Sequence, residues 1–334
     1  MPLFHDLGLI MGILLPLAYG NRAVYMAPMA FVADPLRWLE IATAERATAL
    51  PCPSFALRLC AEEAKRATPE RLAGIDLSSV HCLMPAAEPV LPSQIEAFQA
   101  AFAARGMRRE AIRPAYGLAE ATLLVSAHIE DAPPYLIDVE TAPLEHGRAV
   151  VHPAVAAMPA AGMRRYVSNG CEFDGQDVRI VDPQTRATLP EGRVGEIWIS
   201  GPCIAGGYWN QAGLNRDIFA AETPGADDRR YLRTGDMGFL HGGHLFVTGR
   251  LKDMMLFRGQ CHYPNDIEAT SGRAHAAVIP ESGAAFSMQA EDDAGERLVI
   301  VQEVRRQAST IAISPPPCGQ PWPKGTSLAS TSSC

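Results

Sequence analysis

The sequence predicts an α/β fold, and three observations carry that prediction. Over roughly the first 130 residues, helical apolar periods alternate with short apolar runs, the pattern of an α/β layer structure. Beyond them, alternating and apolar runs separated by Gly, Pro and Asp read as strands of a smaller β region. Hydrophobic residues make up 48% of the 334, enough for a sizeable core in one large domain or two smaller ones.

The elements follow in chain order. Leu7 to Tyr19 is an apolar run. A secretory signal needs a positive leading segment, and His5 and Asp6 stand before the run without Lys or Arg. A membrane helix needs about 20 apolar residues; this run has 13, with Gly8, Gly12 and Pro16 inside it. The expectation is a buried segment of a soluble domain, without a membrane span. Ala23 to Met26 and Val80 to Met84 read as short apolar stretches between helices. Asp34 is placed to cap a helix that Pro35 opens, with Leu36, Leu39 and Thr43 on one face. Ser54 is placed to cap the next, and Ile95, Phe98 and Phe102 stripe a third that Gly106 can end. Residues 131 to 165, rich in Pro and Ala without clear period, read as irregular. Asp177–Val181, Glu196–Ile199 and His244–Val247 read as strands. From Gln307 onward, five prolines and six serines with one charge predict disorder, because too little apolar surface is present to offset chain entropy.

Charge and cysteine usage exclude some functions. A net charge of -8 gives no electrostatic reason to expect nucleic acid or an anionic membrane surface. None of the eight cysteines forms a C-x-x-C pair, so zinc-ribbon and thioredoxin spacings are absent. Most read as reduced core thiols, which suits a cytoplasmic protein.

Four stretches could carry chemistry. Tyr116-Gly117-Leu118-Ala119-Glu120-Ala121-Thr122 offers a stacking face and a carboxylate for a metal or phosphate. It reads equally as a strand-to-helix turn with Glu120 in the first turn. In Leu232-Arg233-Thr234-Gly235-Asp236, an Asp beside glycine suits a turn, and its carboxylate can accept both hydroxyls of a ribose diol. Gly249-Arg250-Leu251-Lys252-Asp253 brings cations that could meet phosphate, or forms a solvated linker. Phe4-His5-Asp6 places a histidine beside an apolar run, where a satisfied core histidine is the plainer reading.

Taken in order, these stretches and Gly195-Glu-Ile-Trp-Ile-Ser-Gly-Pro202 with Gly207-Tyr-Trp-Asn210 resemble the motif series of adenylate-forming enzymes. Within that superfamily the likeness is to fatty acyl-AMP ligases, through Pro35-Leu-Arg-Trp-Leu-Glu40, Tyr116 to Leu123 and His262-Tyr-Pro-Asn-Asp-Ile-Glu268. The resemblance covers Pro2 to about Arg306. It implies a partial large adenylating domain over residues 1–250, of α/β layers plus a smaller β region. The start of a small α+β C-terminal domain would follow at 251–306, and an aberrant tail at 307–334. It implies ATP and Mg²⁺ as cofactors, a fatty acid as substrate, and an acyl carrier protein or a polyketide or peptide synthase carrier domain as acceptor. By the same resemblance, Tyr116 stacks on adenine, with Ala87, Glu88, Gly117 and Thr122 around the nucleotide. Glu120 approaches the metal or phosphates, Asp236 holds the ribose and Arg250 contacts ribose or α-phosphate. His5 lies near the acyl and phosphate site, and Lys252 and Asp253 mark a hinge.

The departures set further expectations. The family's Gly- and Ser/Thr-rich phosphate loop belongs upstream of Phe4-His5-Asp6, and its late lysine belongs beyond Arg306. The expectation is therefore a chain truncated at both ends, poorly stable and nearly inactive, since one lost donor can cost about 10²–10³ in rate. Pro85-Ala86-Ala87-Glu88-Pro89 stands for Asn-Gly-Ala-Glu-Pro, and Cys171-Glu172 for Arg-Pro. A non-catalytic nucleotide- or acyl-binding remnant and a fragment of an acyl-CoA synthetase are the alternative readings.

Overall fold

The computed structural model describes residues 2–156, 158–223, 229–257, 260–289 and 296–305. Arg258, Gly259 and the 307–334 tail lie outside the described residues.

The first layer is a parallel pair. Ala49–Pro53 and Cys82–Ala86 lie side by side, and the helix Phe55–Ala64 crosses between them. A parallel pair requires such a crossover. The helices Leu36–Ala44, Phe55–Ala64 and Pro92–Phe102 turn Leu36, Leu39, Leu57, Cys60, Ile95, Phe98 and Phe102 into one core with Leu83. Each such fully buried side chain contributes about 1.5–3 kcal/mol relative to exposure.

The second layer is a four-stranded antiparallel sheet in the order His244–Arg250, Leu232–His241, Gly195–Ser200, Asp177–Val181. Both faces are covered. Ile197, Ile199 and Leu245 face one cluster with Tyr116 and Val125. Phe239 and Phe246 face another with Ile137 and Val139. These two phenylalanines are register partners and stack, with ring centroids 5.1 Å apart. Two three-stranded sheets adjoin it: Ala115–Gly117, Leu124–Ala127, Cys171–Glu172, and Val151–Pro153, Leu136–Glu140, Met163–Val167. After Asp253 come the hairpin Met255–Phe257 with Gln260–His262, the helix Pro264–Ser271, and the pair Val278–Gln289 with Glu296–Val304.

Several expectations are corrected. The opening run is helical, but only Leu7 and Gly8 are buried, while Leu17 and Tyr19 are 74% and 75% exposed. Among the described residues, no layer covers its outer face. Ala23–Met26 has no regular structure, since Pro28 opens a helix directly after it. Asp34 ends that helix instead of capping the next, and its carboxylate takes Arg71 at 2.8 Å. Ser54 precedes its helix in helical conformation, and its hydroxyl donates to Gln94 Oε1 at 2.7 Å. Residues 131–165 hold two complete strands and part of a third where irregular chain is expected. The strands are only three to five residues long, too short for a visible period. The strands Asp177–Val181, Gly195–Ser200 and His244–Arg250 form where alternation places them. Among the described residues no helix is long and apolar enough to cross a membrane.

Candidate nucleotide site

A bulge builds the centre of the site. Glu196 pairs with Met237 and Trp198 with Arg233, so Thr234, Gly235 and Asp236 together stand opposite the single residue Ile197. Gly235 takes φ +70°, which glycine adopts without strain. Asp236 therefore sits on a bulged strand, not on the turn that the glycine beside it suggests, and pairs across the sheet with Arg250. Bulges re-aim side chains in this way. The neighbouring strand pins the bulge. Glu196, 2% exposed, accepts Arg233 Nη2 at 2.9 Å and Gly235 N–H at 3.2 Å. The Thr234 hydroxyl donates to Ile197 O at 2.7 Å and accepts Asp236 N–H at 3.0 Å.

Asp236 gathers two partners. The Tyr116 phenol donates to Oδ2 at 2.7 Å, and Arg250 Nε donates to Oδ1 at 3.0 Å. A carboxylate has about four acceptor sites, so each oxygen keeps one for a further donor. Burial pushes the Asp236 carboxyl above its ordinary value, while Tyr116 and Arg250 oppose that shift. Burial also raises the Tyr116 phenol, reinforced by the adjacent carboxylate. Tyr116 is therefore a neutral donor at neutral pH.

A second arm holds Glu120. The strand Ala115–Gly117 runs into a 3₁₀ turn, Ala119–Ala121, which realises the strand-to-helix reading. Gly117 has no room for a side chain, because a Cβ there would lie 1.6 Å from Leu123 O. Thr122 takes φ +64°, a strained value for a β-branched residue, and donates its hydroxyl to Cys203 O at 2.8 Å. Ala205 N–H reaches Glu120 O at 2.8 Å, and the Tyr208 phenol donates to Glu120 Oε1 at 2.6 Å. The segment after Gly195–Ser200 thus clasps the turn. Burial and Glu120 push Tyr208 up to about 12.

The remaining expected site residues lie apart from these contacts. His5 Nδ1 lies 2.5 Å from Asp6 Oδ1, and no hydrogen bond among the described residues joins it to Tyr116, Glu120 or Asp236. Ala87 takes φ +70°, and Glu88 accepts the Phe55 N–H. Lys252 and Asp253 form an exposed 3₁₀ turn after Arg250. Sequence reasoning passed over Tyr208, Thr234, Glu196 and Arg233. All four lie inside motifs already visible as strings, yet each has a partner in a distant segment.

The AMP-binding enzyme family matches residues 1–209. The chain belongs to the AMP-binding enzymes. Among relatives, a medium-chain-fatty-acid–[acyl-carrier-protein] ligase of Moorena producens is 40% identical over 92% of this chain and 50% of its own length. A long-chain-fatty-acid–AMP ligase of Mycobacterium bovis is 36% identical over 93% of this chain and 52% of its own. A fatty acid AMP ligase structure from Legionella pneumophila superposes with TM-score 0.71 at 36% identity, covering 91% of this chain and 51% of that one. A fatty acyl-adenylate ligase from the same organism, in complex with acyl adenylate and pyrophosphate, matches with the same TM-score of 0.71 and covers 91% of this chain and 52% of that one. This AMP-binding chain thus spans about half the length of the curated relatives it matches.

Proposed function

We propose that the chain carries the nucleoside-holding part of a fatty acyl-AMP ligase. The reaction is ATP plus a fatty acid giving acyl-adenylate and pyrophosphate, with the acyl group passed to an acyl carrier protein or a synthase carrier domain. The observation that carries this reading is the Tyr116–Asp236–Arg250 cluster: a buried carboxylate, held from both sides, with acceptor capacity left for a ribose diol. Arg250 is 57% exposed, placed to meet negative charge beside the ribose. Tyr116 contributes through its phenol, since its ring belongs to the core and only 8% of the residue is exposed. Ala87, Glu88, Gly117 and Thr122 supply backbone around the nucleotide. His5 serves the acyl and phosphate end, and Lys252 and Asp253 the hinge.

Mg²⁺ takes one or two carboxylates together with substrate phosphates. Glu120 fits that demand in kind, with one oxygen held by Tyr208 and the other without a hydrogen-bond partner among the described residues. The metal would neutralise charge on the phosphates. The protein's own residues orient the nucleoside and hold Glu120 still.

Isothermal titration with a stable acyl-AMP mimic, run beside a pyrophosphate-release assay, tests this. Mimic binding that weakens in Asp236→Asn supports the reading. Absence of mimic binding in folded protein overturns it. Binding without pyrophosphate release favours the remnant reading, and transfer to coenzyme A rather than carrier protein favours the acyl-CoA synthetase reading.

A further inference from the structure

Outside this cluster, Glu130, Cys171 and His244 converge. One potential ligand atom from each lies within 4.8 Å of the others. They come from three segments fixed by strand pairing. Cys171 pairs with Ala127, three residues before Glu130. Leu245 N–H donates to Gly170 O and Asn169 N–H to Leu245 O, both at 2.9 Å, which locks His244 beside Cys171.

His128 adds an independent observation. It is 2% exposed, and Nε2 lies 2.8 Å from Ala132 O, so Nε2 carries the proton. Nδ1 is then a bare acceptor, buried without a hydrogen-bond partner and 3.7 Å from Glu130 Oε2. The buried Nδ1 and the exposed Glu130 carboxylate face each other as two acceptors, and a proton or a metal cation between them would satisfy both. His244 is oriented for the same task. Its Nδ1 lies 2.9 Å from Ser168 Oγ, which also accepts Gly170 N–H at 2.8 Å. With Nδ1 engaged by Ser168, Nε2 is the nitrogen left for a ligand, and a metal there selects the tautomer in which Nδ1–H donates to Ser168.

We propose that Cys171 Sγ, His244 Nε2 and Glu130 form a site for a zinc-class divalent cation, with His128 Nδ1 facing Glu130 beside it. Mixed sulfur, nitrogen and oxygen donors select a borderline-soft ion over Mg²⁺ or Ca²⁺. Binding releases the Cys171 thiol proton to solvent and forms the thiolate–metal bond. The site is separate from the nucleotide cluster and does not rest on the proposed function.

Titration of the metal-free full chain with Co²⁺ tests it. One equivalent should produce a thiolate-to-cobalt charge-transfer band, and Zn²⁺ should displace it. Cys171→Ser should abolish the band. Ser168→Ala should weaken binding by roughly 10–100-fold, the usual cost of losing an orienting partner. Glu130→Gln changes a largely exposed side chain and should weaken the metal without unfolding the chain, as checked by circular dichroism. No band in the parent chain, or a band undiminished in folded Cys171→Ser, overturns the proposal.

Discussion

Asp236 has both carboxylate oxygens engaged by protein donors while keeping acceptor capacity on each. Asp236→Asn replaces one acceptor oxygen by a donor NH₂, which then faces either Tyr116 or Arg250. Hydrogen bonds to charged groups are worth about 1.5–3 kcal/mol, so acyl-AMP mimic affinity should fall by roughly 10–100-fold in a calorimetric titration. The same residue sets a pH dependence. Burial raises its folded-state pKa, so the native chain holds this proton to higher pH than the unfolded chain. Its stabilising contribution is full below the ordinary carboxylate range and is lost as pH rises through the raised value. Nucleotide affinity runs the other way, because the diol needs the ionised acceptor. It should weaken on acidification while an ordinary aspartate, near pH 3.9, would still be ionised, and this dependence should vanish in Asp236→Asn. An affinity flat from about pH 4 to 7 would remove Asp236 from the ribose role. The identity of this residue was legible in Leu-Arg-Thr-Gly-Asp, but its partners were not. Tyr116 lies 120 residues away in sequence and meets it only once the separate sheets have packed together.

At the scale of elements, the bulge that aims Asp236 depends on Glu196, whose buried charge is matched by Arg233. Arg233→Met leaves that carboxylate unpaired. Removing one partner of a buried pair costs about 3–5 kcal/mol, which a denaturant titration of the variant should record. A loss near zero would show that the bulge stands without the pair. The sheet beside Tyr116 has a different constraint. Gly170 takes φ +81°, and a Cβ there would sit 1.8 Å from the Ala127 carbonyl carbon. Gly170→Ala must part the strands Leu124–Ala127 and Cys171–Glu172, and should lower Tm by several degrees more than Gly20→Ala. Gly20 also has positive φ, but a Cβ there would meet nothing within 4 Å. Elements were legible where one face is buried, as in Asp177–Val181, whose alternation survives in the fold. They were illegible where polar side chains chose distant partners over local caps. Ser54 turns to Gln94 and Asp34 to Arg71, choices that no short window of sequence contains.

At the scale of the molecule, the two ends of the described chain differ in how they are held. The C-terminal pair is tied to the first layer by polar contacts: Glu281 takes Arg58 Nε at 2.9 Å and Gln94 Nε2 at 2.8 Å. Arg164 pairs with Asp266 on the helix Pro264–Ser271. The opening helices have little of this. Phe4, Leu17, Tyr19, Tyr25, Met29 and Val32 stand 91%, 74%, 75%, 54%, 75% and 52% exposed within one stretch of 29 residues. Scattered exposed apolar residues are ordinary, but a grouped set marks a surface that associates. The chain alone should therefore bind an apolar dye and self-associate as its concentration rises. Leu17→Lys with Met29→Lys changes side chains that are three-quarters solvated, so the folded state loses little by it, within about 0.5 kcal/mol. The double variant should keep its unfolding midpoint while dye fluorescence drops and sedimentation shifts toward monomer. If both readouts stay at the parent level while the midpoint is unchanged, association arises elsewhere, and the apolar face of Val278–Gln289 and Glu296–Val304, with Met288 and Val301 54% and 57% exposed, becomes the surface to substitute.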